Sequence, residues 1–349
     1  MSGNATYQAL ELNRDKFCFI MLSLDDKRWH ESQKNWSSDT TARQAQLRWV
    51  RLVSALIRWR KDTVMSKAVA VLLLALACKV AASQRIMTDV SYGNDAAQGL
   101  DLRIPASTGF ATLIFVHGGS LTSGDKADSD YAHVCDSFPA VGIACANVNY
   151  RLGPQHSWPV QAEDLASAIA WVRTNIAAHG GDPKKLFLLG HSSGATLVAL
   201  VGADGRYLAK HGMKPSDLRG VMPMGSIMWD DELEHAIAQR GRDTIAQNFL
   251  RDPDNRMYGS FEKYQDHWPV HHIHAGLPPF LFLIAESEQE QPPILKTNAK
   301  FVEEARKCGN QADYKVFAGR KHFTMIRQLH QPGDAVFVVI WDFIRQHDP

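Results

Sequence analysis

Leu186-Phe187-Leu188-Leu189-Gly190-His191-Ser192-Ser193-Gly194-Ala195-Thr196-Leu197 is the stretch that decides the fold of this chain. Four apolar residues fit a fully buried strand, and the apolar run Ala195 to Val201 fits a helix. Between them Gly190-His191-Ser192-Ser193-Gly194 matches Gly-x-Ser-x-Gly. Strand, tight turn and helix in that order give the motif chemical meaning. A serine at such a turn occupies a strained backbone position, where small neighbours let the following helix pack close. Its hydroxyl projects above the sheet, and the helix N-terminus behind it favours developing negative charge.

Outward from this point, strands and helices alternate. Ile86–Tyr92 and Leu100–Ile104 read as two strands joined around Gly93-Asn94-Asp95. Ala111–Val116 is a buried strand running into His117-Gly118-Gly119-Ser120, and Gly142–Val148 is another. Tyr131–Ala140 reads as a helix. Gln161–Ala178 is a helix stopped by Gly180-Gly181-Asp182-Pro183. Further strands are expected at Gly220–Met224, Pro279–Ala285 and Asp313–Ala318, with a helix over Pro293–Cys308. The last helix runs from an Asp334 cap to Gln346; periodicity alone leaves Val336–Ile340 open between strand and helix. Ser226–Ala275 carries many charges and no strand periodicity, and reads as a small helical cap inserted over a pocket. Alternation of this kind implies a mostly parallel sheet with helices on both faces, an α/β architecture. Reactive groups in such sheets gather at the carboxyl ends of the strands.

His117 to Ser120, Ser192, Glu286 to Glu290 and Lys321-His322 all fall just after expected strands. A serine hydroxyl is a poor nucleophile until a base takes its proton, and the base is nearly always a histidine held in one tautomer by a carboxylate. Ser192 is the candidate nucleophile. His322 is the candidate base, because the chain order Ser, acid, His suits this arrangement. His191 and His117 read as structural. The acid should leave the end of the Pro279–Ala285 strand, which places Glu288 first, Glu286 second and Glu290 third. Asp313 lies at the wrong end of the sheet. The amides of Gly118 and Gly119, with that of Ser193, would form an oxyanion hole.

Other features point away from other chemistries. The stretch His267-Trp268-Pro269-Val270-His271-His272-Ile273-His274 matches no recognised ligand spacing, so no metal and no cofactor are expected. Five cysteines (Cys18, Cys78, Cys135, Cys145, Cys308) form no Cys-x-x-Cys pair and read as buried free thiols. With 45% hydrophobic residues, 21% charged residues and a formal net charge of +1, the composition is globular and offers nothing to a nucleic acid.

The first 82 residues differ from the rest. Arg43 to Lys67 holds seven basic residues and one acid interleaved with Trp49, Leu52, Leu56, Ile57 and Trp59, a basic amphipathic pattern suited to a membrane surface. Met65-Ser66-Lys67, the apolar run Ala68–Ala77 and Val80-Ala81-Ala82-Ser83 are the three parts of a signal peptide over residues 65–82. Met65 is then the working start and residues 1–64 an upstream extension. The exported domain is 83–349, with its cap at about 226–275, in a secreted or periplasmic location. A signal-anchor, or lipid attachment at Cys78, is the rival reading.

Together, His117-Gly118-Gly119, Asn149-Tyr150-Arg151-Leu152, Pro159–Asp164, Gly180-Gly181-Asp182-Pro183, the serine motif and Leu277-Pro278-Pro279-Phe280 resemble the α/β-hydrolase esterases. The nearest groups are the bacterial feruloyl-esterase-like and hormone-sensitive-lipase-like carboxylesterases. The resemblance runs from about Ile86 to the C-terminus. It implies an α/β-hydrolase fold with about eight strands, and cofactor-free hydrolysis of a small to medium ester through an acyl-enzyme on Ser192, His322 and Glu288. Relatives usually carry aspartate at the acid position, and here it is a glutamate. Two other readings stand beside the ester hydrolase: an aryl formamidase or amidase using the same triad, and a hydrolase-like binding protein without turnover. The sequence gives no oligomeric state and no physiological substrate.

Overall fold

A computed structural model describes residues 85–231, 257–288, 294–331 and 333–348. The signal peptide, the amphipathic segment, Cys18, Cys78, Glu290 and positions 232–256 of the expected cap lie outside the described residues. Residues 84–349 form one compact unit. Its centre is a sheet of eight strands: β1 (Arg85–Ser91), β2 (Gly99–Ile104), β3 (Phe110–Val116), β4 (Ala144–Val148), β5 (Gly181–His191), β6 (Gly220–Met224), β7 (Phe280–Ala285) and β8 (Ala312–Phe317). They lie in the order β1-β2-β4-β3-β5-β6-β7-β8. β2 pairs antiparallel with both β1 and β4, and all pairs from β4 to β8 are parallel.

The central strands are apolar along their whole length because both faces of the sheet are covered. Every residue of β3 is buried. Ile114 and Val116 point into one core layer, with α1 (Val160–Asn175), α2 (Ser193–Ala203) and a later helix over Ile294–Lys307. Leu113 and Phe115 point into the opposite layer, built from Val134, Phe138, Met325, Val336, Phe337 and Ile340. The remaining helices in chain order are α3 (Gly205–Ala209), α4 (Phe261–Asp266), α5 (Ile294–Lys307), α6 (His322–Arg327) and α7 (Ala335–His347). Asp334 caps α7, its carboxylate accepting from the amides of Val336 and Phe337. That cap makes Val336–Ile340 helical.

Two expectations are corrected. Tyr131–Ala140 is not an α-helix: it is a series of turns ending in a short 3-10 helix, Phe138–Val141, closed by Gly142 in the left-handed region. Pro139 lacks an amide proton, so a continuous helix through this point would lose a hydrogen bond. Nor are Cys135 and Cys145 free thiols, because they form a disulfide with Cα atoms 5.3 Å apart. One cysteine lies in the irregular segment and the other inside β4, so a separation of ten residues gives no local sign of pairing. Cys308 is free, and it is exposed rather than buried. The described part of the cap region holds α4 and a 3-10 helix, Pro269–His272. No helix among the described residues is long and apolar enough to cross a membrane.

Candidate active site

The parallel strands deliver their following residues to one end of the sheet: His117 after β3, Ser192 after β5, Gly225 after β6, Glu286–Glu288 after β7, and the β8–α6 turn leading to His322. Ser192 has φ 55° and ψ −127°, a conformation a non-glycine residue holds only when its surroundings fix it. The flanking glycines explain how it is held. A side chain on Gly190 would strike the backbone of Gly194, and one on Gly194 would strike the carbonyls of Val116 and His117. These close approaches let α2 start directly behind the serine. The Ser192 amide bonds to the Met224 carbonyl at 2.9 Å.

Of the candidate acids among the described residues, Glu288 is the one that meets His322. Its Oε1 accepts from His322 Nδ1 at 2.6 Å, and its Oε2 accepts from the Ala285 amide at 2.8 Å. The short 3-10 turn Glu286–Glu288 folds this carboxylate back over the end of β7, where the residue is 3% exposed. Glu286 is turned elsewhere, accepting from the Gly319 amide at 2.8 Å. Asp313 pairs with Arg306 at 3.2 Å. With Nδ1 donating to Glu288, His322 is the tautomer whose Nε2 carries a free lone pair. No partner for Nε2 is found among the described residues, and the side chain is 31% exposed. His322 sits at the start of α6, whose first turn is closed by Thr324 Oγ1 accepting from the Lys321 amide at 2.7 Å.

The two remaining motif histidines hold the site from beneath. His191 is fully buried, its ring tilted against that of His322 with centroids 4.5 Å apart, and its Nε2 donates to the His322 carbonyl at 3.2 Å. Its Nδ1 is then an acceptor, 3.2 Å from the Tyr131 hydroxyl. Burial, and next the nearby His322, lower its pKa to about 3, so it is neutral at physiological pH. His117 Nδ1 bonds to the Gly118 carbonyl at 2.7 Å, and burial lowers its pKa too. Among the described hydrogen bonds none joins Ser192 to His322. Both border the turn after β6: the Ser192 amide is bonded to the Met224 carbonyl, and a side chain on the next residue, Gly225, would begin 3.0 Å from His322 Nδ1.

Gly118 lies against the serine turn, and Gly119 follows it in the loop. A side chain on Gly118 would begin 2.8 Å from both Ser192 Cβ and the Tyr131 hydroxyl. Gly119 has φ 116°, which favours glycine. Ser193 is the first residue of α2, its amide at the helix N-terminus.

Three contributors escaped the sequence reading: Gly225, Tyr131 and Tyr150. Gly225 follows an expected strand, which was its one legible signal. The sequence reads Tyr131 as part of a helix, and marks Tyr150 only as one residue of the Asn149–Leu152 motif. The histidine-rich stretch is spent on local bonding: His272 Nε2 to the Asp266 carbonyl at 2.8 Å, His274 Nδ1 to the Ala275 carbonyl at 2.8 Å, and His267 Nδ1 to the Tyr264 carbonyl. No group of three His, Cys, Asp or Glu suited to a metal ion occurs among the described residues.

A serine on a strained strand–helix turn, above a parallel sheet that also carries a histidine–carboxylate pair, defines an α/β hydrolase. A family model described as alpha/beta hydrolase fold matches residues 113–326, and the chain belongs to that family. It is similar to esterase LipC of Mycobacterium tuberculosis, 32% identical over 253 residues that cover 67% of this chain and 58% of the relative. LipM of the same organism, named a probable carboxylic ester hydrolase, is 30% identical over 64% of this chain and 52% of its own length. The chain thus spans about half the length of the curated relatives it matches. Among solved structures, a truncated carbohydrate esterase from gut microbiota has the same fold, with a TM-score of 0.60 at 17% identity over 76% of this chain and 96% of that one.

Proposed function

We propose that this chain is a serine carboxylic-ester hydrolase acting on small to medium esters through an acyl-enzyme. The observation that carries the reading is the 2.6 Å bond from His322 Nδ1 to Glu288, beside a serine in a strained turn. In this reaction Ser192 Oγ adds to the ester carbonyl carbon while His322 Nε2 takes the hydroxyl proton. Glu288 holds the tautomer and stabilises the imidazolium. The carbonyl oxygen becomes an oxyanion received by the amides of Gly118, Gly119 and Ser193. Collapse of this intermediate breaks the bond to the alcohol, which leaves with the proton from His322. Water then adds to the acyl group by the same route and frees the acid. Proton transfer requires Ser192 Oγ within hydrogen-bond reach of His322 Nε2 when substrate is bound.

Relatives named as esterases support ester over amide bonds. Replacing Ser192 by alanine is expected to lower turnover of a short-chain p-nitrophenyl ester by about a thousandfold or more. Unchanged turnover in that variant would refute the assignment. Paired ester and anilide substrates of one acyl chain test the bond: the ester is expected to be cut faster, and the reverse would favour an amidase. For location, the Cys135–Cys145 disulfide supports export, because such bonds persist in oxidising compartments. N-terminal sequencing of the native protein should begin at Ser83; an intact Met1 would rule out cleavage there.

A further inference from the structure

The loop that carries the candidate oxyanion amides runs through backbone that only glycine adopts at ease. After Gly119, Ser120 and Leu121 have φ of 55° and 62°. Such conformations cost about 1–3 kcal/mol each and persist where the surroundings over-determine them. Here two hydroxyl groups supply the constraint. Ser193 Oγ accepts from the Leu121 amide at 3.2 Å. Tyr150 Oη donates to the His117 carbonyl at 3.1 Å. Ser193 Oγ thus holds the Leu121 end of the loop, and Tyr150 Oη holds the His117 end. Two separate bonds fasten the loop. Two further contacts brace it: Tyr150 stacks on the His117 ring at 4.5 Å, and the Leu121 carbonyl accepts from the Gly153 amide at 2.9 Å.

We propose that the Ser193 hydroxyl and the Tyr150 phenol are positioning groups that hold the Gly118 and Gly119 amides in register with Ser192. Neither touches substrate; both act through the loop. This rests on the ester-hydrolase reading above. A donor aimed at the oxyanion counts in the transition state and little in the ground state. Removing one such donor outright typically costs about a hundred- to a thousandfold in kcat, so loosening the loop should cost less.

The test uses the full chain with Ser193→Ala, Ser193→Thr and Tyr150→Phe, assayed on p-nitrophenyl butyrate. A trifluoromethyl ketone is the second probe, because addition of Ser192 Oγ to its carbonyl makes an oxyanion without a leaving group. In Ser193→Ala and Tyr150→Phe, kcat is expected to fall by about 10- to 100-fold with KM within about twofold. The ketone inhibition constant should rise by a matching factor. Ser193→Thr, which keeps the hydroxyl, should recover most of the loss. In the double variant the two losses are expected to combine, because each bond holds a different end of the loop. Melting temperatures identify any variant that fails to fold. Tyr150 is buried whereas Ser193 is partly exposed at a helix start, so Ser193→Ala decides if Tyr150→Phe does not fold. A folded Ser193→Ala protein with wild-type kcat and ketone affinity, or a loss seen in KM alone, overturns the proposal. A wild-type protein that neither cleaves the ester nor is labelled at Ser192 by a fluorophosphonate refutes the function itself, and this inference with it.

Discussion

Glu288 shows how much one methylene can be absorbed by local backbone. A glutamate reaches further than an aspartate, and the 3-10 turn Glu286–Glu288 takes up the extra length by bending the carboxylate back onto the Ala285 amide. Glu288→Gln should therefore lower kcat on a p-nitrophenyl ester by about a hundredfold or more, since the amide cannot stabilise an imidazolium. Glu286→Ala should stay within about threefold, because that side chain serves the Gly319 amide instead. A loss confined to Glu286→Ala would exchange the two roles. Gly225 makes a sharper case. Its φ is 67°, and an added Cβ would begin 2.8 Å from Glu288 Oε1. Gly225→Ala is expected to separate the pair and cut kcat, read in the same assay, while the sheet still melts cooperatively. The buried histidines set a pH dependence. His191 and His267 have pKa values lowered by burial to about 3 and about 4. Between about pH 6.5 and these values the unfolded chain binds protons that the folded chain does not. Their neutral burial is thus fully favourable above about pH 6.5, and stability is lost as pH falls. Each group contributes a slope of at most about 1.4 kcal/mol per pH unit. Urea midpoints measured from pH 7 to 4 should decline, and His267→Gln should decline less steeply.

At the scale of elements, legibility followed burial. β3, β5 and β7 stood out in the sequence because covered strands are apolar runs bounded by turn residues. α7 was ambiguous by periodicity and was settled by its Asp334 cap. The elements that failed are those whose form depends on partners far along the chain. Tyr131–Ala140 reads as a helix in sequence, yet Asn147 Nδ2, on β4, donates to the Tyr131 carbonyl at 3.1 Å, and Cys145 binds Cys135. These contacts fix turns that no local pattern encodes. The same contacts set Tyr131 beneath the serine turn, so a site contributor was lost along with its element. The disulfide is testable at this scale. Closing a loop of ten residues stabilises by about 2–3 kcal/mol in chain-entropy terms. The double variant Cys135→Ala with Cys145→Ala should lose that amount in urea unfolding and become insensitive to reductant, whereas the parent should shift when reduced. A parent that binds a thiol reagent at these two positions without reduction would contradict the pairing.

For the whole molecule, the site is a product of strand order. β5 occupies the middle of the sheet, flanked by β3 and β6, so the serine turn emerges between the glycine loop on one side and Gly225 on the other. β7 and β8 lie next in the same direction and bring Glu288 and His322 from 96 and 130 residues further along the chain, counted from Ser192. Sequence could place each group after its strand, but their meeting depends on parallel pairing and register. Among the described residues, the buried members of both core layers run from Leu100 onward, with Met87, Val90 and Tyr92 packed against one of them. β1, the outer strand, begins at Arg85 and is largely exposed. Every candidate site residue lies between His117 and His322. The candidate triad and the described core can therefore be tested without the segment before Gln84. A chain beginning at Gln84 should melt cooperatively and keep kcat/KM for a short-chain p-nitrophenyl ester within about twofold of the full chain. Partition onto anionic vesicles should fall on that truncation, because the basic residues from Arg43 to Lys67 go with it. If the shortened chain instead lost ester turnover while still melting cooperatively, the first 83 residues would contribute to the site, and the amphipathic segment would have to be counted as part of the enzyme.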